Sequence, residues 1–363
     1  MVTFRSGKKI VVKIGTNLLF DKGKVRQENF ENIVKSVIKS RDDKIIIVSS
    51  GAVALGRESL KVRCKHEDDI IRNICASVGQ TELMRHFISH FSYHNAKAGQ
   101  ILLTQNELSN RETYLRVKEV LEGMIKNKVV PIINENDAVK SQNNKFRDND
   151  HLAIKVASKI EADLLIILTN VSGVYDSDPR ESNDAKLMTE FAKEDLTRIR
   201  IGKRNGVNSL GGMKSKVESA LLCSQLGIPT IIANGNEPDI ISKIIEGFGT
   251  GTFFKTEDRL NSKKRWVMLT KERGAIDIDK GAFDALKANK SLLAVGITSV
   301  EGEFSVNDVI SIKHEGKTVA KAIVECNSEV LSFIKSKRTE EIKTVIKDYL
   351  CVAKHENIAF MGD

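Results

Sequence analysis

Short apolar runs alternate with helical patterns through the first 255 residues of this chain, and no other feature restricts its fold as strongly. Each run is rich in Val, Ile and Leu and lacks the polar alternation of a half-exposed strand, which is typical of strands buried on both faces. The strands predicted on this basis are Lys9–Ile14, Lys44–Ser50, Gln100–Thr104, Val129–Asn134, Leu164–Thr169 and Pro229–Ala233.

Amphipathic helices are predicted between these strands. From Phe30 to Ile38 the apolar residues recur at three- and four-residue spacing, and the stretches Leu83–Phe91 and Val117–Ile125 repeat this pattern. Strands and helices in alternation are typical of a mainly parallel open sheet that helices cover on both faces. We therefore expect one large α/β domain over residues 1–258.

The polar stretch Lys255–Arg265 interrupts this rhythm and is predicted to be a linker. Beyond it, short apolar runs are separated by turns that contain Gly, Asn or Asp, which predicts a small β-rich domain over residues 271–349. A helix is expected at Thr339–Leu350. The strands expected in this domain are Ala275–Ile278, Leu292–Ile297, Val309–His314 and Val319–Glu325.

Composition argues against several classes of protein. The chain has no apolar run of about 18 residues, so we expect no membrane-spanning helix and no membrane partner. Its start lacks the pattern of a secretory signal peptide, and its 5 cysteines form no CxxC pair, so reduced thiols and a cytoplasmic location are expected. The net charge of +9 is spread along the chain, whereas a nucleic-acid-binding surface would gather it in a patch.

Four segments rich in glycine or polar residues follow predicted strands, at the edge where open α/β sheets bind ligands. In the first, Lys13 lies within a buried strand, which costs free energy unless its charge points toward an anion or reaches solvent at the end of the strand. In the second, Ser50 and Gly51 open a helix directly after a strand. This arrangement suits an anion at the helix N-terminus, and it equally suits an ordinary helix cap.

The third segment is rich in acids and amides. Asn134–Asp137 follows a predicted buried strand, and Arg147–Asp150 lies at the far end of a long loop; 7 of these 8 residues are Asn, Asp or Glu. Such side chains suit an ammonium group, a metal ion or a neighbouring lysine, whereas many polar loops are simply solvated.

The fourth segment pairs Leu168–Tyr175 with Gly211–Lys216, whose glycines and lysines precede the predicted helix Val217–Leu226. Glycines and lysines before a helix are typical of a phosphate site at the helix N-terminus. The chain has neither a GxxxxGK[ST] loop nor a GxGxxG motif after the first strand. We therefore expect neither a P-loop nor a dinucleotide-binding fold.

Six motifs in this order resemble those of the glutamate 5-kinases of the amino acid kinase family: VVKIGTN, SSGAVALGRE, INENDAV, RDNDHLA, GVYDSDPR and GGMKSK. The resemblance covers residues 8–255, and residues 271–349 resemble the PUA domain that these enzymes carry. It implies the amino acid kinase fold followed by a PUA domain. It also implies ATP-dependent phosphorylation of the side-chain carboxylate of L-glutamate to L-glutamyl 5-phosphate, the first step of proline biosynthesis from glutamate.

The resemblance implies a role for each matching residue. Lys13 and Lys216 would hold the transferring phosphoryl group from two sides, with Asp150 between them. The residues implied for glutamate binding are Ser50, Asp137, Asn149, Glu135 and Asp148, with Asp137 taking the α-ammonium. Besides Lys13, the residues implied for ATP binding are Thr169, Asn170, Leu210, Gly211, Gly212, Met213, Lys214, Ser215 and Lys216.

Further ligands and partners follow from the same resemblance. ATP would carry Mg²⁺ on its phosphates without a dedicated protein cage, and feedback inhibition by proline and a homo-oligomer are implied. Two departures affect the nucleotide site: Asn170 stands where the family more often has Asp, and the glycine run before Met213 is one residue shorter. In the PUA-like segment, Ala294 replaces a usual Pro and Asn307 a usual Gly, which argues against bound RNA.

Two other functions stay open from the sequence. Another amino acid kinase, such as an acetylglutamate, uridylate or carbamate kinase, would share the first strand and the glycines. The NEND and RDND motifs and the PUA-like tail argue against it. An RNA-binding protein that works through the PUA-like domain is the second alternative. The even charge distribution and the aromatic content of 5% argue against that function.

Overall fold

The structure is a computed structural model, and it describes residues 7–21, 23–62, 69–104, 107, 111–139, 149–179, 182, 184–197, 211–256 and 259–361. The chain divides into two compact units, Met1–Arg259 and Leu260–Asp363. One apolar core is built from residues of the first unit and another from residues of the second. Within the described ranges, no helix is both long enough and apolar enough to cross a bilayer.

A mainly parallel sheet organises the first unit. The strands described there are β1 (Lys9–Ile14), β2 (Phe20–Asp21), β3 (Lys24–Val25), β4 (Lys44–Ser49), β5 (Lys97–Leu103), β6 (Val129–Glu135), β7 (Leu164–Thr169), β8 (Glu190–Phe191), β9 (Thr230–Asn234) and β10 (Thr252–Phe254). Apart from the small β2-β3 hairpin they form one sheet in the order β5-β6-β4-β1-β7-β9-β10-β8. Strand β10 runs antiparallel to β9 and parallel to β8, and the other pairs are parallel.

Helices connect these strands as the alternating pattern predicts. Those described in the first unit are α1 (Thr16–Leu19), α2 (Gln27–Lys39), α3 (Ala52–Ser59), α4 (Asp69–Tyr93), α5 (Arg111–Lys126), α6 (Asn149–Lys159), α7 (Gly211–Gln225) and α8 (Ile240–Ile245). The predicted α/β fold with a mainly parallel sheet is confirmed. The bounds of β1 and β7 agree with the predicted ones, whereas the short strands β2, β3, β8 and β10 are not predicted.

The side chains of β1 alternate between the two faces of the sheet. Ile10, Val12 and Ile14 are buried in the apolar core that also contains residues of α2, α4 and α8. Val11 and Lys13 therefore point to the opposite face, where α6 lies against β1. In register, Lys13 lies beside residues of β4 and β7, one position before the end of its strand. The alternation thus directs the lysine toward α6 at the carboxyl edge of the sheet.

Helices α3 and α4 cross at two glycines. A methyl group added at Gly56 would lie 1.8 Å from the backbone oxygen of Cys75, and one added at Gly79 would lie 1.7 Å from that of Ala52. Any side chain at either position would separate the helices, so the close crossing requires glycine at both. This crossing holds α4 against the segment that follows β4.

The second unit contains a smaller sheet in the order β12-β11-β13-β14-β15, in which the β11-β13 pair is parallel and the other pairs are antiparallel. These strands are β11 (Gly274–Ile278), β12 (Ile297–Glu301), β13 (Val309–His314), β14 (Lys317–Ile323) and β15 (Ile358–Phe360). The described helices are α9 (Ser262–Leu269), α10 (Lys280–Lys287), α11 (Ser328–Ile334) and α12 (Thr339–Lys343). The prediction of a small β-rich carboxyl-terminal domain is confirmed.

The predicted linker at Lys255–Arg265 is wrong in its second half. The side chain of Asn261 accepts a hydrogen bond from the backbone N of Lys264 at 2.9 Å and so caps α9, which begins at Ser262. Arg265 is only 2% exposed and donates to the backbone oxygen of Leu260 at 2.8 Å. A polar segment therefore begins the second unit instead of separating it from the first.

Two other predicted elements of the second unit are also wrong. At Leu292–Ile297 the chain makes a single bridge and then a 3₁₀ turn, Ala294–Gly296, before β12 begins. The helix predicted at Thr339–Leu350 ends at Lys343, because the following segment turns back into the core. There Tyr349 is 6% exposed and its hydroxyl accepts a hydrogen bond from the backbone N of Ala294 at 3.1 Å. Tertiary packing thus overrides the local helical pattern.

Candidate active site

A buried carboxylate lies between two lysine ammonium groups at the carboxyl edge of the large sheet. The Oδ1 atom of Asp150 is 2.5 Å from the Nζ atom of Lys13, and its Oδ2 atom is 3.5 Å from the Nζ atom of Lys216. The side chain of Asp150 is fully buried, that of Lys13 is 4% exposed, and that of Lys216 is 16% exposed. The structure thus brings together the three residues predicted to act on the phosphoryl group, and Lys216 is the one that solvent reaches most readily.

Three separate elements position these side chains. Lys13 comes from β1, Asp150 from the first turn of α6, and Lys216 from the second turn of α7. An acidic residue in the first turn of a helix interacts favourably with the helix dipole. Buried charges are tolerated when they are paired, and one carboxylate here faces two ammonium groups. Two ammonium groups at the carboxyl edge of the sheet suit an anionic ligand.

Gly51 sets the position of Ser50 beside these residues. Its φ angle is 114°, in the left-handed region that residues with a side chain rarely adopt, and α3 begins at the next residue. The backbone N of Ser50 donates to the backbone oxygen of Ile14 at 3.2 Å, so Ser50 lies next to the end of β1. The glycine in the SSGA motif is therefore needed for the turn that places the serine.

The side-chain amide of Asn149 connects Ser50 to the neighbouring strand. Its Nδ2 atom lies 2.8 Å from the backbone oxygen of Ser49, 2.9 Å from Oγ of Ser50 and 2.8 Å from Oδ1 of Asn134. The structure therefore brings the predicted residues Asn149 and Ser50 together, and Asn149 is the residue directly before Asp150. Because Nδ2 donates into the protein, the Oδ1 atom is the group that Asn149 can offer to a cationic ligand.

Two glutamines that the sequence analysis does not single out continue this network. The Nδ2 atom of Asn134 donates to Oε1 of Gln80 at 2.8 Å, and Nε2 of Gln80 donates to Oε1 of Gln100 at 2.9 Å. These bonds leave Oδ1 of Asn134 to accept from Asn149 and from the backbone N of Glu135, the latter at 2.9 Å. Gln80 is only 9% exposed in α4, and this burial is seen in the structure, since the sequence gives no sign of its contact with Asn134.

Asp137 contacts an arginine that the sequence analysis also missed. It begins a short 3₁₀ helix, Asp137–Val139, after β6. The Nη2 atom of Arg72 in α4 donates to Oδ1 of Asp137 at 3.2 Å, and the two side chains are 21% and 15% exposed. Glu135 is the last residue of β6 and is half-buried. The predicted glutamate-binding residue Asp148 lies outside the described residues.

The predicted nucleotide-binding residues lie on two elements. Thr169 ends β7, the neighbour of β1, and its hydroxyl donates to Oδ1 of Asn170 at 3.4 Å. Thr169 is buried and Asn170 is exposed. Gly211–Lys216 forms the first turns of α7, at the helix end that favours anions. Leu210 lies outside the described residues.

The far end of α6 carries another buried lysine. Lys159 is 1% exposed, and burial together with the positive charge of Lys118 lowers its pKa to about 7. Lys159 is the last residue of the helix that begins at Asn149, so it lies roughly 13 Å along the helix axis from Asp150. Lys159 therefore lies outside the candidate site.

Comparison with known proteins matches the chain to two families. The model of the amino acid kinase family matches residues 8–234, and that of the PUA domain matches residues 274–346. The chain is 39% identical over 361 residues to the glutamate 5-kinase of Dictyoglomus turgidum, covering 96% of each protein. It is 38% identical over 377 residues to the glutamate 5-kinase of Methanosarcina mazei, covering 99% of this chain and 98% of that one. These matches confirm the resemblance inferred from the six motifs.

Proposed function

Because the chain belongs to the amino acid kinase family, we propose that it transfers the γ-phosphoryl group of ATP to the side-chain carboxylate of L-glutamate. The product would be L-glutamyl 5-phosphate, which opens proline biosynthesis from glutamate. Its similarity over nearly the whole chain to proteins named glutamate 5-kinase supports this substrate. The single observation that carries the proposal is the buried Asp150 carboxylate between Lys13 and Lys216.

The chemistry requires cations and positioning more than a base. A glutamate side chain has a pKa of about 4.3, so at neutral pH the acceptor is already an anion. The obstacle is repulsion between this carboxylate and the anionic phosphoryl group. Lys13 and Lys216 offset that repulsion from two sides, and Asp150 keeps both ammonium groups in place. Preorganised charges of this kind stabilise a transition state without reorganising during the reaction.

In the proposed step, a carboxylate oxygen of glutamate attacks the γ-phosphorus of ATP. A phosphorus–oxygen bond forms to that carboxylate, the bond from the γ-phosphorus to the bridging oxygen breaks, and ADP leaves with the electron pair. No proton is transferred. Lys216, the more exposed lysine, would interact with the phosphoryl oxygens from the solvent side, and Lys13 from the sheet. The first turns of α7 would bind the phosphates beside it.

Glutamate would bind along the carboxyl edge of β4 and β6. Ser50 and Asn149 are joined by a hydrogen bond of 2.9 Å, and Asn149 directly precedes Asp150 in the chain. The Oδ1 atom of Asn149 and the carboxylate of Asp137 would accept hydrogen bonds from the α-ammonium. Glu135 and Asp148 are assigned supporting roles in the same loop. A substrate held here directs its side chain toward the two lysines.

ATP is the phosphoryl donor that the family implies, and we assign its binding site to Thr169, Asn170 and Leu210–Lys216, together with Lys13. Mg²⁺ bound to the ATP phosphates would neutralise part of their charge. Asp150 is a poor ligand for that ion because two ammonium groups face it. Within the described part of the chain, no group of three or more His, Cys, Asp or Glu side chains could hold a metal. The site formed by Asp150, Lys13 and Lys216 fits a Mg²⁺ ion that arrives bound to the nucleotide, because Mg²⁺ is often held by substrate phosphates and water.

We assign catalysis to residues 1–258 and a PUA domain to residues 271–349. We further propose a cytoplasmic location, feedback inhibition by proline and a homo-oligomeric assembly. Bound RNA is not part of the proposal, because the replacements at Ala294 and Asn307 argue against it.

A coupled assay of ADP release tests the proposed reaction. The chain is incubated with ATP, Mg²⁺ and one acceptor at a time: L-glutamate, N-acetyl-L-glutamate, UMP or carbamate. Only L-glutamate should stimulate ADP release, and hydroxylamine should trap its product as a hydroxamate, because acyl phosphates react with this nucleophile. Addition of proline should lower the rate. If another acceptor supported faster ADP release than L-glutamate, the proposed substrate would be wrong.

A further inference from the structure

The ion pair between Arg72 and Asp137 bears on how the substrate is recognised. Both residues lie away from the phosphoryl-binding lysines in sequence, Arg72 in α4 and Asp137 two residues after the end of β6. Their 3.2 Å contact leaves each side chain partly exposed, at 21% and 15%. A guanidinium group has five N–H donors in a planar fork, so one contact with Asp137 does not use its full capacity.

Helix α4 contacts both ends of the Asn134–Asp137 segment. Gln80 accepts a hydrogen bond from Asn134 at 2.8 Å, and Arg72 contacts Asp137 at 3.2 Å. The two α4 residues are eight positions apart, which places them on the same side of the helix, roughly 12 Å apart along its axis. The helix is itself fixed by its close crossing with α3 at Gly79. Arg72 is therefore held beside the proposed glutamate site.

A kinase for glutamate must distinguish two carboxylates on the same substrate. The lysines attract either of them, because the Coulomb attraction does not depend on which carbon carries the charge. Phosphorylation of the side chain requires that the α-carboxylate be held elsewhere by another cation. Arg72 supplies a cation next to the carboxylate proposed to bind the α-ammonium.

We propose that Arg72 binds the α-carboxylate of glutamate while Asp137 binds the α-ammonium, so that the pair recognises the zwitterionic head group of an α-amino acid. This inference rests on the proposed glutamate kinase activity. Arg72 and Asp137 present a positive and a negative charge a few ångströms apart. The head group of an α-amino acid also carries two opposite charges close together, so its carboxylate can face the arginine while its ammonium faces the aspartate. Arg72 is thus a residue that determines specificity, and it also selects which carboxylate reaches the lysines.

The alternative is an ion pair that only stabilises the fold. A partly exposed pair of this kind usually contributes little to stability. Both roles would make Arg72→Gln less active on glutamate, so activity on glutamate alone does not separate them. A substrate that lacks the α-carboxylate charge distinguishes the two roles. It cannot form the proposed contact with Arg72, so its turnover should not depend on Arg72 unless the ion pair is needed for the fold.

The experiment compares L-glutamate with L-isoglutamine, in which the α-carboxylate is an amide and the side-chain carboxylate is intact. The full-length wild type, Arg72→Gln and Arg72→Lys are assayed for kcat/KM on both substrates, with thermal melting as a check on folding. Arg85→Gln is the matched control: Arg85 is also in α4, its side chain is 67% exposed, and it pairs with Glu82 at 2.6 Å.

We expect the wild type to prefer L-glutamate over L-isoglutamine by roughly 10- to 100-fold, as for a hydrogen-bonded charge pair. Arg72→Gln should lower kcat/KM for glutamate by a similar factor and change that for isoglutamine less than threefold. Arg72→Lys should recover part of the loss, because it keeps the charge without the planar fork. Arg85→Gln should leave both values unchanged.

Equal losses on both substrates in Arg72→Gln would overturn the assignment and leave a structural ion pair. Equal use of the two substrates by the wild type would overturn it as well. A wild type that releases no ADP with glutamate would contradict the proposed function itself, which is a different result from either of these.

Discussion

The Oδ1 atom of Asp150 lies 2.5 Å from the Nζ atom of Lys13, in a contact that buries both charges. The lysine reaches this position because β1 alternates its side chains, and the aspartate because α6 begins one residue earlier. Lys216 shares the same carboxylate at 3.5 Å. Asp150 therefore contributes to the spacing of the two ammonium groups around the proposed phosphoryl position.

Replacing Asp150 by Asn should abolish most of the activity. The two ammonium groups would lose their shared counter-charge, and breaking a buried ion pair leaves an uncompensated charge. We expect kcat to fall by roughly 100-fold or more and the melting temperature to fall as well. ATP, which brings its own negative charge, should raise the melting temperature of Asp150→Asn more than that of the wild type. A kcat within threefold of the wild-type value would contradict the role of Asp150.

Lys216→Ala should lower kcat far more than it raises the KM for glutamate, because the charge is proposed to act on the transition state. Removal of one preorganised donor typically costs roughly 10²- to 10³-fold in kcat. Steady-state kinetics with both substrates measure this effect. Lys255→Ala is the control, since Lys255 is 60% exposed and pairs with Glu190 at 3.0 Å on the surface. A similar fall in kcat in both variants would contradict a specific role of Lys216 in the transition state.

We expect opposite effects on stability for a Gly→Ala substitution within the α3–α4 crossing and one outside it. Gly79→Ala would place its methyl group 1.7 Å from the backbone oxygen of Ala52, so the helices must separate and Gln80 must move. We expect a loss of about 1–3 kcal/mol in the free energy of unfolding and a raised KM for glutamate. Gly123 lies in α5 with nothing within 4 Å of an added methyl group, and Gly123→Ala should stabilise the helix by roughly 0.5–1 kcal/mol. Thermal melting of both variants distinguishes the two cases.

The buried Lys159 predicts a pH dependence of stability. Below pH 7 the lysine is protonated in the folded and the unfolded chain, and its burial then destabilises the fold by a constant amount. Above its folded-state pKa of about 7 the folded chain loses a proton that the unfolded chain keeps until about pH 10.5, so stability rises with pH. The slope is at most about 1.4 kcal/mol per pH unit.

Lys159→Met removes this titration and provides the test. The variant should melt at a higher temperature than the wild type at pH 6.5, and the difference should shrink as the pH rises to 9. Melting curves in buffers of equal ionic strength measure it. A difference that stays constant across this range would show that the pKa of Lys159 is not lowered.

The two cores predict that the catalytic unit folds without the second unit. The apolar core around β1 draws its residues from the first unit, and the other core draws its own from the second. The truncated chain should end at Arg259, before α9 begins, because an end at Arg265 would cut through that helix. We expect residues 1–259 to be soluble, to melt cooperatively and to retain glutamate-dependent ADP release. An insoluble or inactive product would show that the second unit is required.

Periodicity alone predicted the class of fold and placed several candidate site residues at the ends of strands. Strand β7 is a fully buried apolar run, and β1 is buried apart from Lys9, so the bounds of both follow from local sequence. In open α/β sheets, ligands bind at the carboxyl ends of the strands. Lys13 and the polar runs at Asn134–Asp137 and Arg147–Asp150 stand out for the same reason. The short strands β8 and β10 could not be predicted, because two or three residues carry no period.

Only the tertiary structure decided which side chains meet. Arg72 and Gln80 lie in a long helix whose sequence gives no sign that its polar residues contact the end of β6 and the loop that follows it. They reach that loop because Gly56 and Gly79 allow α3 and α4 to cross closely, a contact between residues far apart in the chain. Local pattern specifies which face of an element is apolar. The meeting of polar groups depends on the distance and angle between packed elements, which no single segment encodes.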